Sequence, residues 1–364
     1  MKMNLNNKDI VLKAKDKLIK KVEKLGKPIK LMEFCGGHTH AIMRYAIDKL
    51  LDGYVEFIHG PGCPVCVASM DRIDLAIELA KMPNVVFTTY GDLLRVPGSY
   101  RKSLLDIRSE GHDVRSLYSC LDAIDIAVKN QDKNVIFFAI GFETTTPPTA
   151  VLLKKAKEMK LKNLFVVSNH VMTPPAIRYI LNSDISHIDG IIGPGHVSVI
   201  TGMKIYKELD IPIVISGFEA FDILKAVNMI LDQHIRHERK VENAYTRAVT
   251  EEGNIEAQKL IEQTLDIRDT FNWRGIGPLP KSALKINKDY EMFDAEKAFD
   301  VKLPPSKEHP LCICPKVITG KAKPTDCKLF GNLCTPENPI GSCMVSSEGA
   351  CAAYYKYQEV ELCM

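Results

Sequence analysis

The sequence predicts an α/β protein built on parallel sheets, and three observations carry that prediction. Short apolar runs of strand length recur at Leu31–Phe34, Tyr54–Ile58, Val85–Thr88, Val135–Ile140, Leu164–Val167, Ile188–Ile192 and Ile211–Ile215. Each run leads into a loop of Gly, Pro, Ser, Thr, His or Cys. Segments of helical periodicity, among them Ser69–Lys81, Ser119–Lys129, Thr149–Met159 and Pro174–Asn182, stand between the runs. Strand and helix in alternation call for right-handed crossovers and hence parallel sheets. A Lys-rich amphipathic helix, Asn7–Leu25, precedes the first run.

Two motif pairs recur at one offset. Leu31–Cys35 (LMEFC) aligns with Leu164–Ser168 (LFVVS), and Ile58–Cys63 (IHGPGC) with Ile191–His196 (IIGPGH). A shared offset favours an internal duplication, with Ser168 and His196 standing where the first copy has Cys35 and Cys63. The expected organisation is an α/β domain over 1–133, a second over 134–235, and a helical linker with a C-terminal metal domain over 236–364. Phe218–Thr270 reads as long charged helices, and Trp273–Pro280 (WRGIGPLP) marks a boundary through its Gly and Pro.

Composition narrows the function classes. In 364 residues, 46% are apolar and 26% charged, as in a soluble globular protein of two or three domains. Lys plus Arg number 48 against 45 Asp plus Glu, so no basic field speaks for nucleic acid. No apolar run approaches the ~20 residues of a membrane span. Met1–Lys21 lacks the apolar segment of a signal peptide. A cytoplasmic protein is expected.

Eleven cysteines make the most specific signal, seven of them between Cys312 and Cys363. In a reducing compartment such clustering points to metal or redox chemistry rather than disulfide staples. Cys120, alone in an ordinary stretch, reads as a small buried apolar residue. Cys35, in Cys35–His40 (CGGHTH), follows the first strand, at the edge of a parallel sheet where ligand crevices form. His38 and His40 add imidazoles for ligation or proton transfer. Cys63 and Cys66, in Gly60–Cys66 (GPGCPVC), form a Cys-x-x-Cys pair at a helix start, suited to a dithiol and also available as half of a zinc site with the histidines; the redox pair is favoured. Cys312, Cys327, Cys334 and Cys351 are spaced Cys-x14-Cys-x6-Cys-x16-Cys. Four thiolates in a loop-rich region suit zinc or an iron–sulfur cluster, and the long gaps lean toward the latter. Cys314, Cys343 and Cys363 have no assigned role, and Cys314 is an alternative to Cys312. Glu143, His170 and His196, at later strand ends, are candidates for the surroundings of Cys35. Walker and Gly-x-Gly-x-x-Gly loops are absent.

Phe34–His40 (FCGGHTH), Gly60–Cys66, Gly141–Thr145 (GFETT), Gly193–Ser198 (GPGHVS) and the four-cysteine series together resemble the HypD family of hydrogenase maturation factors, over about residues 31–357. The resemblance implies two thioredoxin-like α/β domains and a third carrying a 4Fe–4S cluster. It implies a cytoplasmic assembly factor for nickel–iron hydrogenases that works with the small chaperone HypC. On that complex an iron atom would gain two cyanides and a carbon monoxide, Fe(CN)2CO, with cyanide from HypE and its partner HypF, before passing through HypC to the hydrogenase large subunit. By the same resemblance Cys35 binds the nascent iron, Cys63 and Cys66 form a dithiol beside it, and Cys312, Cys327, Cys334 and Cys351 hold the cluster. The competing expectations are a stand-alone iron–sulfur-dependent thiol–disulfide oxidoreductase and a structural zinc protein. No turnover reaction is assignable from sequence.

Overall fold

The computed structural model describes residues 8–183 and 187–358, so Met1–Asn7 and Cys363 lie outside the described residues. Nine strands form two sheets: β1 (Ile29–Glu33), β2 (Val55–His59), β3 (Val85–Tyr90), β4 (Asp113–Leu117), β5 (Asn134–Gly141), β6 (Leu164–His170), β7 (Gly190–Pro194), β8 (Ile213–Ser216) and β9 (Val241–Asn243). One sheet has the order β2-β1-β7-β8-β9 and the other β4-β3-β5-β6. Every pairing in both is parallel, as the alternation of strand and helix predicts.

The pleat explains why the runs are continuously apolar. Parallel sheets covered by helices bury both faces. In β5, Ile136 and Phe138 join one core with Phe87 and Val167. Their alternates Val135 and Phe137 join another with Val86, Leu152 and Leu153. In β1, Leu31 packs with Phe57, Ile192 and Val214 against Ile223 and Val227 of the helix Ala220–Ile235. Met32 faces the opposite way, toward Ile191, Ile213 and Tyr206. The first helix, Lys8–Leu25, buries Leu18 and Val22 on the Ala220–Ile235 helix, where Lys21 pairs with Asp232.

The sheets do not divide at residue 133. β1 and β2 share a sheet with strands that follow residue 187, β1 pairing with β7, and β3–β6 form the other sheet across the expected boundary. Pairing depends on what fits beside a strand and not on chain distance. Gly190 stands opposite Leu31, and a Cβ there would lie 3.2 Å from a Leu31 methyl and 2.8 Å from Ile230. The expected duplication fails for the same reason. β1 and β2 are neighbours, whereas β6 and β7, their counterparts at the common offset, belong to different sheets. The repeated motifs mark similar strand ends, not a repeated unit.

Beyond β8 the expected run of long helices is broken. The helix Ala220–Ile235 is followed by β9, and in the rest of the expected stretch, up to Thr270, only Ile255–Thr264 is helical. Two antiparallel pairs follow: β10 (Leu265–Ile267) with β13 (Leu284–Ile286), and β11 (Thr270–Trp273) with β12 (Gly277–Pro280). Trp273 is buried, and its indole N–H donates to Ser282 Oγ at 2.9 Å. From residue 302 to 349 only short helical turns occur, Cys314–Val317, Pro324–Asp326 and Ser342–Met344, before the last helix, Ala350–Tyr357. The local apolar core there is small, centred on Leu329, Cys334 and Met344. Among the described residues no helix is long and apolar enough to cross a membrane.

Candidate functional site

The site begins where β1 ends. Cys35 is the extended N-cap residue of the helix Gly36–Arg44 and is buried. Burial, then the charges of Glu348 and Glu33, hold its thiol well above the usual range, while the Gly37 and His38 amides pull the other way. The loop after β2 lies directly on this turn. Gly36 N–H donates to Gly62 O at 3.2 Å. A Cβ on Gly62 would come within 2.4 Å of Cys35 N, so only glycine lets the two loops meet. One residue on, Cys63 caps the short helix Pro64–Val67 and is disulfide-bonded to Cys66, with Cα atoms 5.2 Å apart. The Cys-x-x-Cys pair therefore adjoins the Cys35 turn.

His38 has two distinct nitrogens. Nε2 donates to Gly217 O at 3.0 Å, while Nδ1 is buried without a partner. Burial lowers its pKa, so a neutral ring with a bare Nδ1 lone pair results. The ring stacks on Phe218, with centroids 4.6 Å apart, and His196 stacks on the same phenyl at 3.9 Å. His196 is exposed. His40 lies two residues further along the helix, its Nε2 bonded to the Tyr357 hydroxyl at 3.1 Å. Glu143 is not brought to Cys35 by any hydrogen bond. Its two oxygens accept from Thr173 N at 2.8 Å and Thr173 Oγ1 at 2.9 Å, capping the helix Thr173–Leu181. His170 bonds Thr149 Oγ1 at 2.9 Å through Nε2, and its Nδ1, like that of His38, is buried without a partner. Cys120 is buried in the core of the four-stranded sheet.

A buried carboxylate that the sequence reading missed organises the turn from below. Glu33 is 0% exposed. It accepts from Cys35 N at 2.8 Å, from the Thr39 hydroxyl and from His59 Nδ1 at 2.9 Å. The signal available in the sequence was a lone acid inside the apolar run Leu31–Phe34.

Six cysteines, Cys312, Cys314, Cys327, Cys334, Cys343 and Cys351, line one cavity in the C-terminal region. Cys314 and Cys343 bring their sulfurs within 2.6 Å of each other. The hydrogen bond from Cys343, with help from the Arg274 guanidinium, draws the Cys314 thiol down to about 7. Burial pushes the Cys312 thiol up to about 12. Arg274 is itself buried, donating to Ser342 Oγ and, at 2.8 Å, to Glu308. Ser342 Oγ lies 3.7 Å from Cys314 Sγ and donates to Cys66 O at 3.3 Å. Thus the cysteine cavity, the Cys314–Cys343 pair, the Cys63–Cys66 pair and Cys35 follow one another through the structure.

A family model described as "HypD: Hydrogenase formation hypA family" matches residues 10–358. The chain belongs to the HypD family. Hydrogenase maturation factor HypD of Azotobacter vinelandii is 51% identical over 337 residues, 90% of this chain and 89% of the relative. HypD2 of Bradyrhizobium diazoefficiens is 50% identical over 341 residues, covering 91% and 90%. HypD of Escherichia coli is 44% identical over 339 residues, covering 92% and 91%. Hydrogenase maturation is therefore the process in which a HypD family member such as this one takes part.

The 4Fe–4S cluster expected of the HypD resemblance can be tested against the cavity. Cys312, Cys327, Cys334 and Cys351 stand around it together with Cys314 and Cys343, beside a wall of Leu329, Phe330 and Met344. No carboxylate or imidazole lines the cavity. Among the described residues no three His, Cys, Asp or Glu side chains close on a single ion. Thiols spread around an apolar cavity, with no oxygen or nitrogen donors, suit a cluster better than a lone metal.

Proposed function

We propose that this protein is the scaffold and redox factor on which the Fe(CN)2CO centre of nickel–iron hydrogenases is assembled, in the cytoplasm. In this reading it acts in complex with a HypC-like chaperone, takes cyanide from HypE supplied by HypF, and passes the iron through HypC to the hydrogenase large subunit. The observation that carries it is the contact between two thiol loops: Cys35 at a strand end, with the Cys63–Cys66 loop packed on its backbone.

The iron is the cargo. Cyanide and carbon monoxide favour low-valent iron, for which a thiolate is a suitable soft ligand. Cys35 would supply that thiolate. His38, held in one tautomer by Gly217 O, would accept a hydrogen bond at Nδ1, and His196, on the exposed side of Phe218, is positioned to meet an incoming group. Cys63 and Cys66 would hold or release an electron pair as disulfide or dithiol beside the cargo. Cys312, Cys327, Cys334 and Cys351 would hold the 4Fe–4S cluster, which when bound supplies electrons one at a time. Against the stand-alone oxidoreductase stands burial: Cys63 is 4% and Cys66 1% exposed, and attack on a foreign disulfide needs a reachable sulfur.

The test is infrared absorption of the protein purified without oxygen together with its small partner. Wild type is expected to carry cyanide and carbonyl bands. Cys35→Ser, which offers a hard, poorly ionised oxygen, is expected to lose them and keep the visible cluster absorption. Bands that persist in the variant would remove Cys35 as the anchor. Cys327→Ala is expected to lose the visible absorption and leave far-UV dichroism intact, because the region around it has little apolar packing of its own.

A further inference from the structure

The last helix makes contact with both thiol centres. Cys351 sits in its first turn and lines the cysteine cavity. Tyr354 and Tyr357 follow at three-residue steps, a spacing that keeps all three on neighbouring positions of one helix surface. Tyr354 OH lies 3.2 Å from His59 Nε2, and their rings meet edge to face with centroids 5.4 Å apart. Tyr357 OH bonds His40 on the helix that starts at Cys35.

From His59 the connection runs inward. Its Nδ1–H donates to Glu33, which fixes the tautomer and leaves Nε2 to accept the Tyr354 hydroxyl. Glu33 in turn receives the Cys35 N–H and the Thr39 hydroxyl. A carboxylate buried in an apolar strand is tolerated only while its bonds are made, so movement of His59 is felt at the Cys35 turn. The outer bond of the chain is also the one open to change. His59 and Tyr354 line a solvent-accessible cleft together with Asp48, Glu56 and Lys323, where water can replace the tyrosine hydroxyl.

We infer that the helix Ala350–Tyr357 couples the cysteine cavity to Cys35, with Tyr354, His59 and Glu33 as positioning residues that hold the Cys35 turn. The inference rests on the reading of Cys35 as the iron-binding thiol and of the cavity as the seat of a cluster, and it deepens that reading: cargo binding at Cys35 depends on the cavity being in order. When Cys351 is held in the cavity the helix stays in place and the turn is rigid. When it is not, the Tyr354–His59 bond opens and the turn loosens.

The experiment uses the full chain, purified without oxygen, at one pH. It follows alkylation of Cys35 by iodoacetamide with mass spectrometry, and hydrogen–deuterium exchange of a peptide spanning residues 34–44. Tyr354→Phe removes one hydroxyl and keeps the ring. It is expected to speed both readouts about fivefold, the size of one ordinary hydrogen bond, with visible absorption unchanged. Cys351→Ser is expected to speed them as well, and the double variant no further than the faster single one, because both act through one connection. His59→Gln, whose amide can donate to Glu33 and accept from Tyr354, is expected to stay slow, whereas His59→Leu is fast. That contrast separates positioning from mere packing. Wild-type rates in Tyr354→Phe, or multiplying effects in the double variant, would overturn the coupling. Neither readout needs iron cargo or the small partner, so its failure is distinct from loss of the Cys35 anchor in the infrared experiment.

Discussion

The carboxyl edges of the two sheets are built alike and used differently. Both end their strands in loops rich in Gly, Thr, His and acid. At the edge of the four-stranded sheet the polar atoms, apart from the buried Nδ1 of His170, are committed to the fold. Glu143 caps a helix, His170 holds Thr149, and Thr88 and Thr89 donate to the carbonyls of Ile136 and Phe138. At the edge of the five-stranded sheet a thiol, the bare Nδ1 of His38 and the exposed ring of His196 are left over. The contrast teaches that a strand-end position nominates a residue, and that the bonds its neighbours make decide whether it has chemistry left to offer.

The comparison breaks most readily at Glu143. If that residue serves the fold alone, Glu143→Ala leaves the buried Thr173 N–H and hydroxyl unpaired and the helix uncapped. The expected loss is about 3 kcal/mol, read from denaturant midpoints. Alkylation of Cys35 is expected to proceed as in wild type. A variant of normal stability with altered Cys35 reactivity would move Glu143 into the site and erase the distinction between the two edges.

What the sequence made legible follows the same line. β5 was plain because both of its faces are buried and the run is wholly apolar. β4 and β9 were not, since DVRSL and VEN lie at sheet edges with their side chains partly exposed. Sheet membership was hidden too, because the partner of β1 across Gly190 lies far along the chain. Cys35, Cys63 and Cys66 announced themselves by motif, and the thiol loops do meet. Glu143 was nominated by its strand-end position and proved occupied. Glu33, His59 and Tyr354 escaped notice because each is ordinary alone and their connection exists only in three dimensions. The closeness of Cys314 to Cys343 was equally invisible, although seven cysteines between Cys312 and Cys363 are three more than four ligands need.

A finer test uses two buried titratable groups on the committed edge whose effects oppose. Burial raises the Glu143 carboxyl from its ordinary 4.5 to about 7. Between those values the folded protein holds a proton that the unfolded chain has released, so this group's contribution to stability falls as pH rises through the window. Burial lowers His170 from 6.5 to about 4. There the unfolded chain holds the extra proton, so stability from this group rises with pH across its window and is lost as pH falls through about 4. In the overlap the two slopes, each at most about 1.4 kcal/mol per pH unit, offset one another. Glu143→Gln, which keeps an acceptor for Thr173, is expected to unmask stability that climbs with pH. His170→Gln is expected to unmask the opposite trend. Unfolding midpoints measured at intervals from acid to neutral pH decide between them. Profiles parallel to wild type in both variants would mean that neither group changes its proton on folding, and burial at the committed edge would then not govern its titration.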